Sequence, residues 1–185
     1  ALLLALWIVP AAAQTAPDPG VSDGFGMMRS EAEADFAEVR PETEIRFPED
    51  HAAHPGFRIE WWYITANLRD AEDRPLGVQW TLFRFASRPE DGRETGWTAP
   101  LVWMGHAAVT TAERHLHAER FGRGGIGQAG VEHPPFRAWI DDWGLESLGE
   151  AFSPLELTAR GDGFRYALVL DAEGPMVLQG EEGYS

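Results

Sequence analysis

From residue 57 onward the chain is a succession of short apolar or alternating runs, and no helical periodicity intervenes between them. The runs fall at residues 57–68, 76–85, 101–110, 115–121, 136–143, 145–148, 155–160, 164–170 and 176–179. Turn-forming tripeptides such as Asp73-Arg74-Pro75, Arg123-Gly124-Gly125 and Gly161-Asp162-Gly163 separate them. Such short connections close antiparallel hairpins but cannot carry the crossover helices of a parallel sheet. The pattern therefore predicts an all-β antiparallel sandwich or barrel. Alternation is clearest where Val78, Trp80 and Leu82 oppose Gln79, Thr81 and Phe83, and where Phe164, Tyr166, Leu168 and Leu170 oppose Arg165, Ala167 and Val169. Several runs are apolar on both faces, which predicts one face packed on neighbouring structure and the other lining an interior cavity.

The first 40 residues read differently. Residues 1–9 are apolar, and Ala11-Ala12-Ala13 before Gln14 has the small-residue form of a signal-peptidase site. The stretch falls short of the roughly 20 apolar residues that span a bilayer, so residues 1–13 are expected to be a cleaved export signal lacking its basic start, and the mature protein secreted or periplasmic. Residues 14–44 form a linker in which Ser30 and Glu33 have capping-box spacing, predicting a short acidic helix over residues 31–39. The β domain then occupies residues 45–185. Charge narrows the function classes further. Thirty acids against 15 bases, all arginine, leave a net charge of −15, which argues against nucleic acid or an anionic membrane as partner. The absence of cysteine removes thiolate nucleophiles, disulfides and cysteine metal sites.

Chemistry-bearing residues concentrate between Phe47 and Tyr63. Strand alternation puts Glu60 and Trp62 on one face and Trp61 and Tyr63 on the other. A carboxyl group among aromatics resists ionisation and can donate a proton. The structural alternative pairs Glu60 with Arg58 or Arg84. Asp50, His51 and His54 form an incomplete metal-ligand set, and His115 and His117 share a strand face. Both spacings fit surface or hydrogen-bonded histidines better, so no metal is expected. His106 stands in an apolar strand, where it must find a partner or line a cavity. Gly125-x-Gly127-x-x-Gly130 spells a dinucleotide fingerprint, but no strand–helix–strand unit surrounds it and a hairpin loop is the better reading. Asp141 and Asp142 close a run with carboxylates expected on opposite faces.

The order Phe47-Pro48-x-Asp50-His51-x-x-His54-Pro55-x-Phe57-x-x-Glu60-Trp61-Trp62-Tyr63, followed by Asn67-Leu68, resembles the entry motif of the lipocalin-like proteins that include the carotenoid 1,2-hydratases (hydroxyneurosporene synthases) and the AttH-type secreted proteins. Gln79-x-Thr81-x-Phe83-Arg84, the strand holding Trp103 and His106, Ala129-Gly130, Trp139-x-Asp141-Asp142-Trp143 and Leu178-Gln179-Gly180-x-x-Gly183-x-Ser185 match in order. Ala52 and Ala66 depart from it, standing where glycine is expected.

The resemblance implies an antiparallel lipocalin-like β-barrel that is the N-terminal half of a tandem, with a C-terminal barrel as partner. It also implies a long apolar isoprenoid, polyene or lipid as ligand, and hydration of a carbon–carbon double bond with no organic cofactor. Such chemistry needs an acid, a pocket that tolerates a carbocation and a placed water. In that setting Glu60 or Asp50 would be the acid, and His106 or His51 would polarise water. Trp61, Trp62, Tyr63, Trp80, Phe83, Trp103 and Trp139 would contact the ligand. A carrier without chemistry, or a purely structural half, is the alternative.

Overall fold

The structure, a computed structural model, describes residues 36–90, 96–180 and 183. The described residues form nine strands in two antiparallel sheets. The first sheet holds β1 (Ile59–Arg69), β2 (Pro75–Ala86), β3 (Leu101–Thr110) and β4 (His115–Arg123) in sequential order. The second holds β5 (Ala129–Glu132), β6 (Arg137–Ile140), β7 (Trp143–Ser147), β8 (Leu155–Gly161) and β9 (Phe164–Leu170), also sequential. Nearest-neighbour order follows from the short turns. Between β1 and β2, the Asp70 carboxylate accepts hydrogen bonds from the backbone N–H groups of Glu72 and Arg74, and Asp73 adopts a φ of 63°. This is the side-chain-stabilised turn chemistry that aspartate favours.

Alternation decides which faces meet. β1 is exposed at every odd position, and its partners show the same two-residue period in register. The inward faces contribute Val78, Trp80, Leu82 and Trp103 from one sheet and Ala138, Ile140, Trp143 and Leu157 from the other, all nearly inaccessible to water. Full burial of side chains of this size stabilises by about 1.5–3 kcal/mol each before entropy is counted. Gly105 and Gly122 let the sheets approach: a Cβ on Gly105 would stand 2.7 Å from Ile140 Cγ2. The Tyr166 hydroxyl, whose pKa burial pushes well up, donates across the sheets to the Gln79 carbonyl at 2.9 Å.

The architecture is thus all-β and antiparallel, as the run pattern predicts, with differences in detail. The expected interior cavity is taken up over this span by the packed tryptophans, because both sheets turn large side chains toward each other. Residues 176–179 form no strand; Met176, Val177 and Leu178 are exposed there. Ala129 and Gly130, within the loop expected over residues 125–130, instead begin β5, and Gly130 is covered by the Trp139 ring. The expected run 136–143 breaks at Asp141 and Asp142, which form the β6–β7 turn with Asp141 at φ 52°. Those two carboxylates therefore do not point apart: each comes within 4.0 Å of Arg120. Of the helix expected over residues 31–39, residues 31–35 lie outside the described residues and residues 36–39 are not helical. The expected signal segment also lies outside the described residues.

Candidate functional site

The segment before β1 folds over one end of the first sheet. Pro48 starts a single 3-10 turn, Glu49–His51, in which the Asp50 carboxylate accepts from the Arg46 backbone N–H and the Ala52 N–H bonds back to the Glu49 carbonyl. His51 then stacks on Phe152 with ring centroids 3.6 Å apart and planes 7° from parallel, and it also meets Phe47 and Phe136. Its carbonyl accepts from the Trp62 indole at 3.0 Å. Burial, reinforced by nearby His133, pushes the His51 pKa down. A neutral ring in an aromatic stack anchors this segment.

Behind it runs a chain of charges. The Glu60 carboxylate accepts from the His54 backbone N–H at 2.9 and 3.0 Å, from His54 Nδ1 at 2.8 Å and from Arg84 Nη1 at 3.1 Å. His54 Nε2 meets Asp50 Oδ1 at 3.1 Å. Arg84, with a side chain 1% exposed, also donates to the Phe57 carbonyl and to Glu90. A guanidinium so deeply placed needs its charge matched on the spot, and two glutamates do so. Burial opposes protonation of His54, yet the hydrogen bonds to Asp50 and Glu60 and their charges outweigh it and raise its pKa. The Arg46 N–H, followed by His54, lowers that of Asp50. His54 is thus held between two carboxylates that favour its protonated form.

Residues of this cluster open into a pocket of about 260 Å³ at the free edge of β1, bounded by Asp50, Ala52, His54, Glu60, Trp61 and Trp62. Trp62 turns inward and stacks on Trp103 at 6.1 Å, while Trp61 stands outside, 56% exposed. The His54 ring and two tryptophan side chains meet here.

The residues singled out from the sequence divide into groups. Asp50, Glu60, Trp61 and Trp62 meet at the pocket, and His51 supports it from behind. Trp80 and Trp103 are core residues, 0% and 3% exposed. Tyr63, Phe83 and His106 share the outward face of the first sheet, where His106 contacts the Phe83 ring and lies 3.7 Å from Glu119. Trp139 lies apart on β6, beneath Arg137 and over Gly130. His54, Arg84 and Glu90 complete the cluster. The sequence names His54 and Arg84 only as a metal donor and an ion-pair partner, and nothing in it marks Glu90, which pairing across a loop brings in. Among the described residues no group of three or more histidines and carboxylates is arranged to hold a metal ion.

Two stacked antiparallel sheets with a histidine–carboxylate cap at one end define a lipocalin-like β module. The chain matches the AttH-like family over residues 38–185 and belongs to it. It is also similar to the crystal structure of an AttH protein from Nitrosomonas europaea, with a TM-score of 0.65 and 29% identity, over 81% of this chain and 44% of that one. This chain therefore spans less than half the length of that relative. None of the curated proteins matches.

Proposed function

We propose that this AttH-like module is exported, binds a long apolar isoprenoid or lipid at the tryptophan edge of β1, and adds water across one of its carbon–carbon double bonds. The observation that carries this reading is the pocket in which the His54 ring, hydrogen-bonded to Asp50 and Glu60, opens beside Trp61 and Trp62. His54 gives its proton to one alkene carbon, leaving a tertiary cation on the other. An indole face stabilises that cation, water bonds to it, and the proton released returns to the imidazole. Glu60 and Asp50 accept hydrogen bonds throughout and position the ring. The reading calls for no organic cofactor.

A carrier that binds the same ligand without converting it is the second reading. It is favoured by the engagement of both His54 ring nitrogens, since proton donation must break one of those bonds. Incubating the full-length protein with an acyclic polyene and following the product by mass spectrometry separates the two. A gain of one water that His54→Gln abolishes while binding persists supports the hydratase. Bound ligand that is never converted overturns it in favour of the carrier.

A further inference from the structure

The segment before β1 forms one wall of the pocket at the strand edge. Asp50, Ala52 and His54 come from the segment, and Glu60, Trp61 and Trp62 from the strand. Two histidines three residues apart fasten the segment to the sheets, and the two fastenings ask for opposite states of the imidazole.

At His51 the ring lies flat on Phe152, 3.6 Å between centroids, with Phe47 and Phe136 around it. Asp50 and His133 are the ionisable groups that act on it: Asp50 favours the cation and His133 opposes it. The Nδ1 atom of His133 is itself buried with no partner among the described residues. An imidazolium in the place of His51 would carry two N–H donors into an enclosure of phenyl rings. Attraction to the Phe152 face and to Asp50 offsets only part of that cost, and the net effect lowers the His51 pKa.

At His54 both ring nitrogens meet carboxylates, Nδ1 with Glu60 at 2.8 Å and Nε2 with Asp50 at 3.1 Å. A ring that carries both protons donates to both; a neutral ring donates to one and turns a lone pair on the other. Arg84 backs Glu60 at 3.1 Å, and the Arg46 backbone N–H holds Asp50. Phe57, whose ring meets His54 edge-on, brings no charge.

We propose that residues 47–56 are a latch on the pocket at the edge of β1, held fully closed only while His51 is neutral and His54 is protonated. Trp62 couples the latch to the pocket, because its indole N–H donates to the His51 carbonyl at 3.0 Å. Release of the segment removes three of the six residues that bound the pocket and frees that indole. The two conditions set a pH window. The contribution of His51 to closure is complete above the ordinary imidazole value of about 6.5 and falls away below it, where the open segment takes up the proton first. That of His54 is complete below about 6.5 and is lost as pH rises through its raised value. Asp50, whose pKa is lowered, titrates below this range. Closure is therefore tightest near about pH 6.5 and slackens on both sides. The latch governs access and does not depend on which ligand the pocket takes.

Hydrogen exchange of the full chain, followed residue by residue by NMR between roughly pH 5 and 8, tests this. Two N–H groups report on docking, because their bonds cross between segment and strand: the His54 backbone N–H on the Glu60 carboxylate, and the Trp62 indole N–H on the His51 carbonyl. Their protection, corrected for the intrinsic pH dependence of exchange, is expected to peak near about pH 6.5 and to fall by up to about tenfold per pH unit on either side. Backbone N–H groups of β2 and β3 should keep theirs throughout. His51→Phe retains the stack without the titrating group and should abolish the loss on the acid side, while His54→Gln should abolish the loss on the alkaline side. Level protection at both reporters across the range overturns the latch. Protection lost equally in β2 and β3 assigns the response to global unfolding and overturns it as well. Acid-side loss that survives in His51→Phe removes His51 as a trigger. A Trp62 indole that stays protected while the His54 N–H opens overturns the coupling to the pocket.

Discussion

Arg84 is the residue on which the capped end of the sheet depends. It is buried, and Glu60 and Glu90 neutralise it. Removing one partner strands charge away from water, so Glu60→Ala should destabilise by about 3 kcal/mol, near the lower limit for such losses because Glu90 remains. The midpoint of urea unfolding measures this. The histidines act in opposite directions with pH. The pKa of His54 is higher in the folded state, so its contribution is complete below the ordinary imidazole value of about 6.5 and is lost as pH rises through the raised value. Folding depresses that of His51, so stability falls as pH drops below about 6.5, where the unfolded chain takes up the proton first. Asp50, lowered, contributes above the ordinary carboxylate value and loses its contribution as pH falls through the folded one. Urea midpoints between roughly pH 5 and 9 should therefore lose their alkaline decline in His54→Gln and their decline below 6.5 in His51→Asn.

At the level of elements, spacing between the sheets is set by glycine. Gly105 on β3 faces Ile140 and Trp143 of the second sheet, and an added methyl group would sit 2.7 Å from Ile140 Cγ2. Gly105→Ala is expected to cost about 1–3 kcal/mol by overpacking, seen as a lowered melting temperature with unchanged sheet content by circular dichroism. Strands β1 to β4, β8 and β9 are legible because a two-residue period marks most of their length. β5 was hidden because its small residues carry no period and its neighbouring glycines suggest a loop. Residues 176–179 misled in the other direction, since their apolar run finds no inward face to bury. The division of the 136–143 run was also invisible, because only the backbone at Asp141 shows that the chain reverses there.

For the molecule as a whole, a charge of −15 opposes compaction. Added sodium chloride should raise the melting temperature by about 2–4 °C, as expected if screening recovers on the order of 1 kcal/mol. The buried Arg84 pairs should be insensitive to it. A melting temperature that falls with salt would show that exposed pairs such as Arg74 with Asp70 outweigh net repulsion. Net charge described the average surface but not its distribution: the outward face of the first sheet keeps nearly free of acid, which a composition cannot reveal.

The sequence alone determined the antiparallel β class, the sharing of one face by Glu60 and Trp62 and the density of chemistry before β1, because strand period and turn chemistry are local. Tertiary structure decided which tryptophans are core and which are surface, since both faces of an apolar strand look alike until a second sheet covers one. It also decided that Asp50, His54, Glu60, Arg84 and Glu90 form one connected chain of charges, which requires a cap segment, a strand start, a strand end and the loop after it to converge. Those contacts are set by packing in three dimensions, and no spacing along the chain encodes them.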